Sequence, residues 1–198
     1  MGYPGFTEKT MNPNDFKYPR KSAIGSFFNV FLRNRSLRSF NRVLFYPFTR
    51  MKLKSEIKEV VFLNWLVPIE KAQSVVPEHV QLIEFQGQTL LTVLNYKHGN
   101  FRPNYLSFLK PVFGSPFQSN WRFYIQNNLD FGMDKPSVYF LKNCLSSSSY
   151  SIGSRLFSNI LHSHYPLNFD LSSSNGIHTS TIIPGISNSP DLSYMAAE

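Results

Sequence analysis

Asn120, Arg122 and Tyr124 stand two apart in the stretch Ser119-Asn120-Trp121-Arg122-Phe123-Tyr124-Ile125. Side chains on a strand point alternately to its two faces, so one face here offers an amide, a guanidinium and a phenol, and the other is apolar. Turned towards a cavity, Arg122 would clamp a carboxylate or phosphate through two parallel N–H bonds, with Asn120 and Tyr124 fixing orientation. Turned outward, it is a surface charge.

Other residues carry weaker chemical signals. His162-Ser163-His164 has the spacing that sets two imidazoles on one face of a strand, but a metal site needs a third ligand and no motif supplies it. Lys97 and Lys142 lie near predicted strand ends, where a solvated or snorkelling role is expected. Strand alternation would set Lys142 on the face of Val138 and Phe140. Ser154-Arg155, after Gly153, is a second polar pair. Cys144 has no base around it and reads as a buried structural thiol. There is no Gly-rich phosphate loop, Gly-x-Ser-x-Gly elbow or His-Glu-x-x-His stretch, so no cofactor and no metal is assigned.

The elements that must hold these residues are mostly strands. Residues 59–67 read as a buried strand, and Pro68 is well placed to open a short helix, 68–76, that Pro77 ends. Residues 82–85 and 89–96 read as a hairpin across Gln86-Gly87-Gln88, followed by a long loop, 97–117. Strands are predicted at 119–126 and 137–143, with a Ser-rich turn at 146–149; residues 151–161 suit strand or helix, with strand preferred. Asn175-Gly176 between 169–172 and 177–183 is the strongest hairpin signal in the chain.

Composition divides the chain in two. Its 198 residues carry a formal charge of +8, but residues 1–56 hold 11 Lys/Arg against 3 Asp/Glu while residues 57–198 hold 9 of each. The basic character therefore belongs to an N-terminal arm, 1–56, and not to the domain, 57–198. Residues 1–21 read as a flexible leader. Residues 22–45 read as basic amphipathic helix, with Ile24, Phe27, Phe28, Phe31 and Leu32 at helical spacing. Such a helix packs on its own domain or lies on an anionic membrane surface. No nucleic-acid motif accompanies the charge. A single cysteine and the lack of a signal-peptide pattern lead us to expect a cytoplasmic chain.

Several stretches, taken in order, resemble a known family. They are Phe62-Leu63-Asn64-Trp65-Leu66-Val67-Pro68, Val76-Pro77-Glu78-His79-Val80-Gln81-Leu82, Phe85-Gln86-Gly87-Gln88-Thr89-Leu90-Leu91-Thr92-Val93, Ser119-Asn120-Trp121-Arg122-Phe123-Tyr124-Ile125 and Pro136-Ser137-Val138-Tyr139-Phe140-Leu141. The chain is similar over roughly 57–165 to the YqjF-like family, grouped with the acetoacetate decarboxylases. The resemblance implies a β-barrel or curved antiparallel sheet around a small-molecule cavity. The family pattern Glu-x-Asn-x-Arg-x-Tyr falls on Gln118, Asn120, Arg122 and Tyr124, so a neutral amide stands where an acid is usual, which counts against general acid–base work there. The adjacent lysines of the decarboxylases are absent, which disfavours Schiff-base chemistry. Relatives continue for several more strands, so an incomplete barrel or a truncated chain is expected, with an open edge that invites homo-oligomers.

The expected protein is thus mostly β (α+β) with an N-terminal amphipathic helical arm. It would bind a small anionic or carbonyl-containing organic molecule through Arg122, Asn120 and Tyr124, supported by Gln118. Two other readings stand beside it. One is a lyase-type enzyme of the same fold. The other is a peripheral membrane protein that uses residues 22–45 and binds a lipid-like ligand.

Overall fold

The aliphatic and aromatic runs around Val61 and Leu91 form the two longest strands, β1 (Leu53–Pro68) and β2 (Gln88–Pro103), of 16 residues each. The computed structural model describes residues 15–34, 52–126, 136–157 and 162–197. With β3 (Phe117–Ile125) and β4 (Ser137–Leu145), β1 and β2 make a four-stranded antiparallel sheet in the order β1-β2-β3-β4. A second antiparallel sheet of three strands holds β5 (Asn168–Ser174), β6 (Ile177–Ile183) and β7 (Leu192–Ala197). The chain is therefore mostly β, but among the described residues the sheets do not close into the expected barrel: β1 and β4 are the outer members of the first sheet, and the later strands pair only with one another.

One face of the large sheet carries the core. Helix α2 (Ile69–Gln73) begins directly after Pro68 and sets Ala72 with Val76, Leu82 and Phe123, against Val67, Leu91, Tyr139 and Leu141. Further along that face Cys144 meets Phe169 and Ile182, with Phe117 and Leu192 around them, so the small sheet packs there. Burying a side chain of this size stabilises the fold by about 1.5–3 kcal/mol.

Several expectations change in detail. Residues 82–85 do not run as a full strand beside β2. A two-residue turn at Gln86-Gly87, both at positive φ, lets Phe85 and Gln88 exchange backbone hydrogen bonds at 2.8 and 3.0 Å. Leu82 and Ile83 meet the end of β3 instead, where Ile83 N donates to Tyr124 O at 2.9 Å. The predicted loop 97–117 is half strand, because Arg102 and Pro103 still pair with Lys54 and Leu53; two kinked 3-10 turns follow at Asn104–Val112. Of residues 151–161, where the sequence favours strand over helix, 151–157 belong to helix α3 (Ser148–Phe157), and 158–161 lie outside the described residues. Ser151 and Arg155, one turn apart, are both buried, and this polar inward face hid the helical period. The Asn175-Gly176 hairpin forms as expected, with both residues at positive φ.

Part of the arm joins the fold. In the segment read as a flexible leader, residues 1–14 lie outside the described residues, but Phe16 is only 1% exposed and lies under the Arg155 guanidinium, 5.3 Å from ring centre to Cζ. Asn188 Nδ2 donates to Asp15 O at 2.9 Å, and Ile186 N donates to Pro19 O. Helix α1 (Ala23–Arg33) follows, its N-cap Ser22 Oγ accepting from Gly25 N at 3.0 Å. The helix buries Leu32 and leaves Ile24, Phe27 and Val30 exposed. The remainder of the predicted helical stretch, 35–45, lies outside the described residues. Among the described residues no helix is long and apolar enough to cross a membrane.

Candidate functional site

The face of the large sheet opposite the core carries the polar residues. Register sets Thr92, Leu94 and Tyr96 of β2 against Arg122, Asn120 and Gln118 of β3, and Asn64 and Phe62 of β1 against Thr92 and Leu94. On the other side Asn143 and Phe140 of β4 oppose Asn120 and Arg122. All four residues singled out in the sequence thus share one face, as the alternation required.

At one end the face is a closed hydrogen-bonded network. His98 Nε2 is 2.5 Å from Gln118 Oε1, a carboxamide oxygen that can only accept, so the proton sits on Nε2. His98 Nδ1 then accepts from Ser55 Oγ at 2.7 Å. Gln118 Nε2 uses both its hydrogens, donating to Asn120 Oδ1 at 3.0 Å and Asn143 Oδ1 at 2.8 Å. Asn120 Nδ2 passes on to Tyr96 Oη at 3.2 Å, and Asn143 Nδ2 to Ser163 Oγ at 2.5 Å. His98, Gln118, Asn120, Asn143 and Ser163 are all buried. Burial holds His98 below the usual imidazole range, against the opposing bond to Gln118, and raises the Tyr96 phenol.

At the other end the face is half-exposed. The Arg122 guanidinium lies over the Tyr124 ring, 5.7 Å from its centre, and Arg122 Nε is buried without a hydrogen-bond partner among the described residues. Among the described residues no carboxylate oxygen lies within 4.0 Å of that guanidinium. Thr92 Oγ1 donates to Asn64 Oδ1 at 2.7 Å and is 3.4 Å from Tyr124 Oη. The Thr92 bond, followed by a hydrogen bond from Arg122 and the Arg122 charge, draws the Tyr124 phenol below its ordinary range against the opposing effect of burial. Phe62, Leu66, Leu94 and Phe140 flank this end.

Gln118 and Asn120 are therefore held inside the network, while Arg122 and Tyr124 stand where a ligand can reach them. Sequence reasoning missed Tyr96, His98, Thr92, Asn64 and Asn143. The polar positions in Thr92-Val93-Leu94-Asn95-Tyr96-Lys97-His98 were the available signal, but only cross-strand register shows that they meet β3.

The other candidates lie elsewhere. Lys142 does not share the face of Val138 and Phe140: a bulge in β4 sets it against Trp121 while Phe140 opposes Arg122, so Leu141 is the extra residue and alternation reverses. Burial, reinforced by the Arg155 charge, lowers the Lys142 amine below its usual range. Lys97 pairs with Glu59 at 3.8 Å at the surface. Cys144 is fully buried, which pushes its thiol up to about 12. Ser163 and His164 are buried against α3, where Arg155 Nε donates to Ser163 O at 2.7 Å and Ser154 Oγ accepts from Ser163 N. His164 forms a bridge with Cys144 rather than part of a strand with His162, and among the described residues no group of three His, Cys, Asp or Glu gathers round a metal-sized site.

Two antiparallel sheets, with a buried amide–imidazole network at one end of a face and a half-buried arginine at the other, define the class: a mostly β protein with one polar sheet face. The chain belongs to the DUF2071 family of uncharacterized conserved proteins (COG2071), which matches residues 54–186. No curated protein and no solved structure matches it.

Proposed function

We propose that this protein binds a small anionic or carbonyl-containing organic molecule on the polar face of its large sheet. One observation carries the reading: the half-buried Arg122 guanidinium, whose Nε has no hydrogen-bond partner among the described residues, lies over the ring of half-buried Tyr124. A buried donor left without an acceptor costs about 1–3 kcal/mol, and a ligand oxygen relieves it once the guanidinium turns its Nε towards the half-exposed face. Arg122 clamps the anion, Tyr124 Oη donates to a second oxygen, and Asn120 and Gln118 keep the strand's polar edge in place. Phe62, Leu66 and Phe140 take the apolar remainder of the ligand.

The resemblance to YqjF-like proteins and the acetoacetate decarboxylases supports the same reading. Binding without Schiff-base chemistry is favoured, since Lys142 lies on the opposite face from Arg122. Calorimetric titration with acetoacetate, benzoate and inorganic phosphate tests the proposal. At least one should bind, and Arg122→Gln should weaken it by roughly 10-fold or more, the loss of about one charge-assisted pair. Equal binding by the variant would sink the assignment.

A second reading concerns α1. Its exposed Ile24, Phe27 and Val30, in the part of the chain that carries the whole net charge, suit an anionic membrane surface. Flotation with phosphatidylserine vesicles should recover the whole chain and lose Phe27→Glu/Val30→Glu. Retention of that variant would rule α1 out.

A further inference from the structure

The two halves of β1 differ in kind. Residues 53–60 carry Lys54, Glu56, Lys58 and Glu59, with register shifts after Lys54 and Lys58 and Glu59 at a φ of 52°. Charges and bulges keep a strand edge from pairing with another chain. Residues 61–67, Val-Phe-Leu-Asn-Trp-Leu-Val, have neither: they are uncharged and pair residue for residue with β2, from Val61 opposite Asn95 to Val67 opposite Thr89.

Among the described residues no strand or bridge meets the outer edge of β1. Apolar side chains are nevertheless open on both of its faces, with Phe62 55%, Leu66 59% and Trp65 43% exposed. Such a flat, uncharged edge is a template for strand addition.

We propose that residues 61–67 pair with the same residues of a second copy, antiparallel about a two-fold axis at Asn64. The segment is close to palindromic in character. Centred there, Val61 meets Val67, Phe62 meets Leu66, Leu63 meets Trp65 and Asn64 meets its own counterpart. Each pair is apolar on apolar or amide on amide, and no like charges oppose. An isologous contact of this kind closes on itself. It joins two four-stranded sheets into one of eight strands, and the Asn64–Thr92–Arg122 rows of the two copies run towards each other across the axis. The charged half of β1 flanks the contact and limits its length.

Sedimentation velocity on the whole chain, from about 1 to about 100 µM, tests this in the range where a small interface associates. The wild type should shift from monomer to dimer with concentration. Phe62→Glu/Leu66→Glu should stay monomeric, because the two introduced carboxylates face each other across the axis. Phe62→Lys/Leu66→Glu should dimerise again, because each new ammonium then meets a new carboxylate. Both positions are largely exposed in the single chain, so an unchanged circular dichroism spectrum is expected. A wild type that stays monomeric throughout, a double-glutamate variant that still dimerises, or a lysine–glutamate variant that does not, overturns the proposal.

Discussion

His98 and Gln118 form an uncharged pair, Nε2 to Oε1 at 2.5 Å. With glutamate, the imidazole would sit in a charged dyad. With glutamine, burial keeps the ring neutral, and the amide's two hydrogens bind Asn120 and Asn143 instead. The pair is a support for the sheet face and not an acid–base couple.

Gln118→Glu should therefore destabilise the fold. A carboxylate keeps the bond from His98 but confronts Asn120 Oδ1 and Asn143 Oδ1 without donors. A loss of about 2–3 kcal/mol in urea denaturation is expected at pH 7, together with an upward move of His98 on NMR titration. Unchanged stability would mean that both asparagine amides turn freely, and the directed network would be wrong.

Tyr124 should titrate early among the tyrosines followed by absorbance at 295 nm, since hydrogen bonding to Thr92, then hydrogen bonding to Arg122 and the Arg122 charge, favour its phenolate. Thr92→Val should move this phase to higher pH by more than Arg122→Gln does. Tyr124→Phe should abolish it. An early phase that survives in Tyr124→Phe belongs to another tyrosine.

Acid should weaken the fold from about pH 6.5 downward. Burial holds His164 at about 2, so below the imidazole's ordinary pKa the unfolded chain binds a proton that the native state refuses. Stability is complete above that pKa and falls by about 1.4 kcal/mol per pH unit through the window for this residue, with His98 adding in the same direction. His164→Asn should flatten the dependence of the urea midpoint between pH 7 and 5. An equally steep curve in the variant would place the proton uptake elsewhere.

Phe16 should behave as a core residue despite its place in the basic arm. Its ring is 1% exposed beneath Arg155, so Phe16→Ala should cost about 3–5 kcal/mol. Phe16→Leu, which keeps an apolar side chain in that place, should cost far less. Equal losses would show that the ring's burial is not what binds the segment.

The sequence made the polar face of β3 legible because a period of two needs no knowledge of partners. Phe169 and Ile182 belong to a readable hairpin for the same reason, through Asn175-Gly176. What it concealed depends on contacts distant in sequence. His98 became part of the site only through Ser55, 43 residues earlier, and Gln118, 20 residues later. Lys142 changed face through a bulge, which no periodicity announces. Helix α3 turned a polar side inward, against Ser163, and so lost its amphipathic signature.

The central claim is that Arg122 is the anion clamp of this sheet face, and its own Nε–Hε resonance reads it directly. In a 1H–15N spectrum of the whole chain, acetoacetate, benzoate or phosphate should move that peak saturably, and Arg122→Lys should remove the peak and weaken the binding that calorimetry reports. If none of the three moves the Arg122 peak while any of them still binds, the ligand lies elsewhere and the account is contradicted. If none binds at all up to about 10 mM, far above the affinity a charge-assisted clamp supplies, the face is not an anion site.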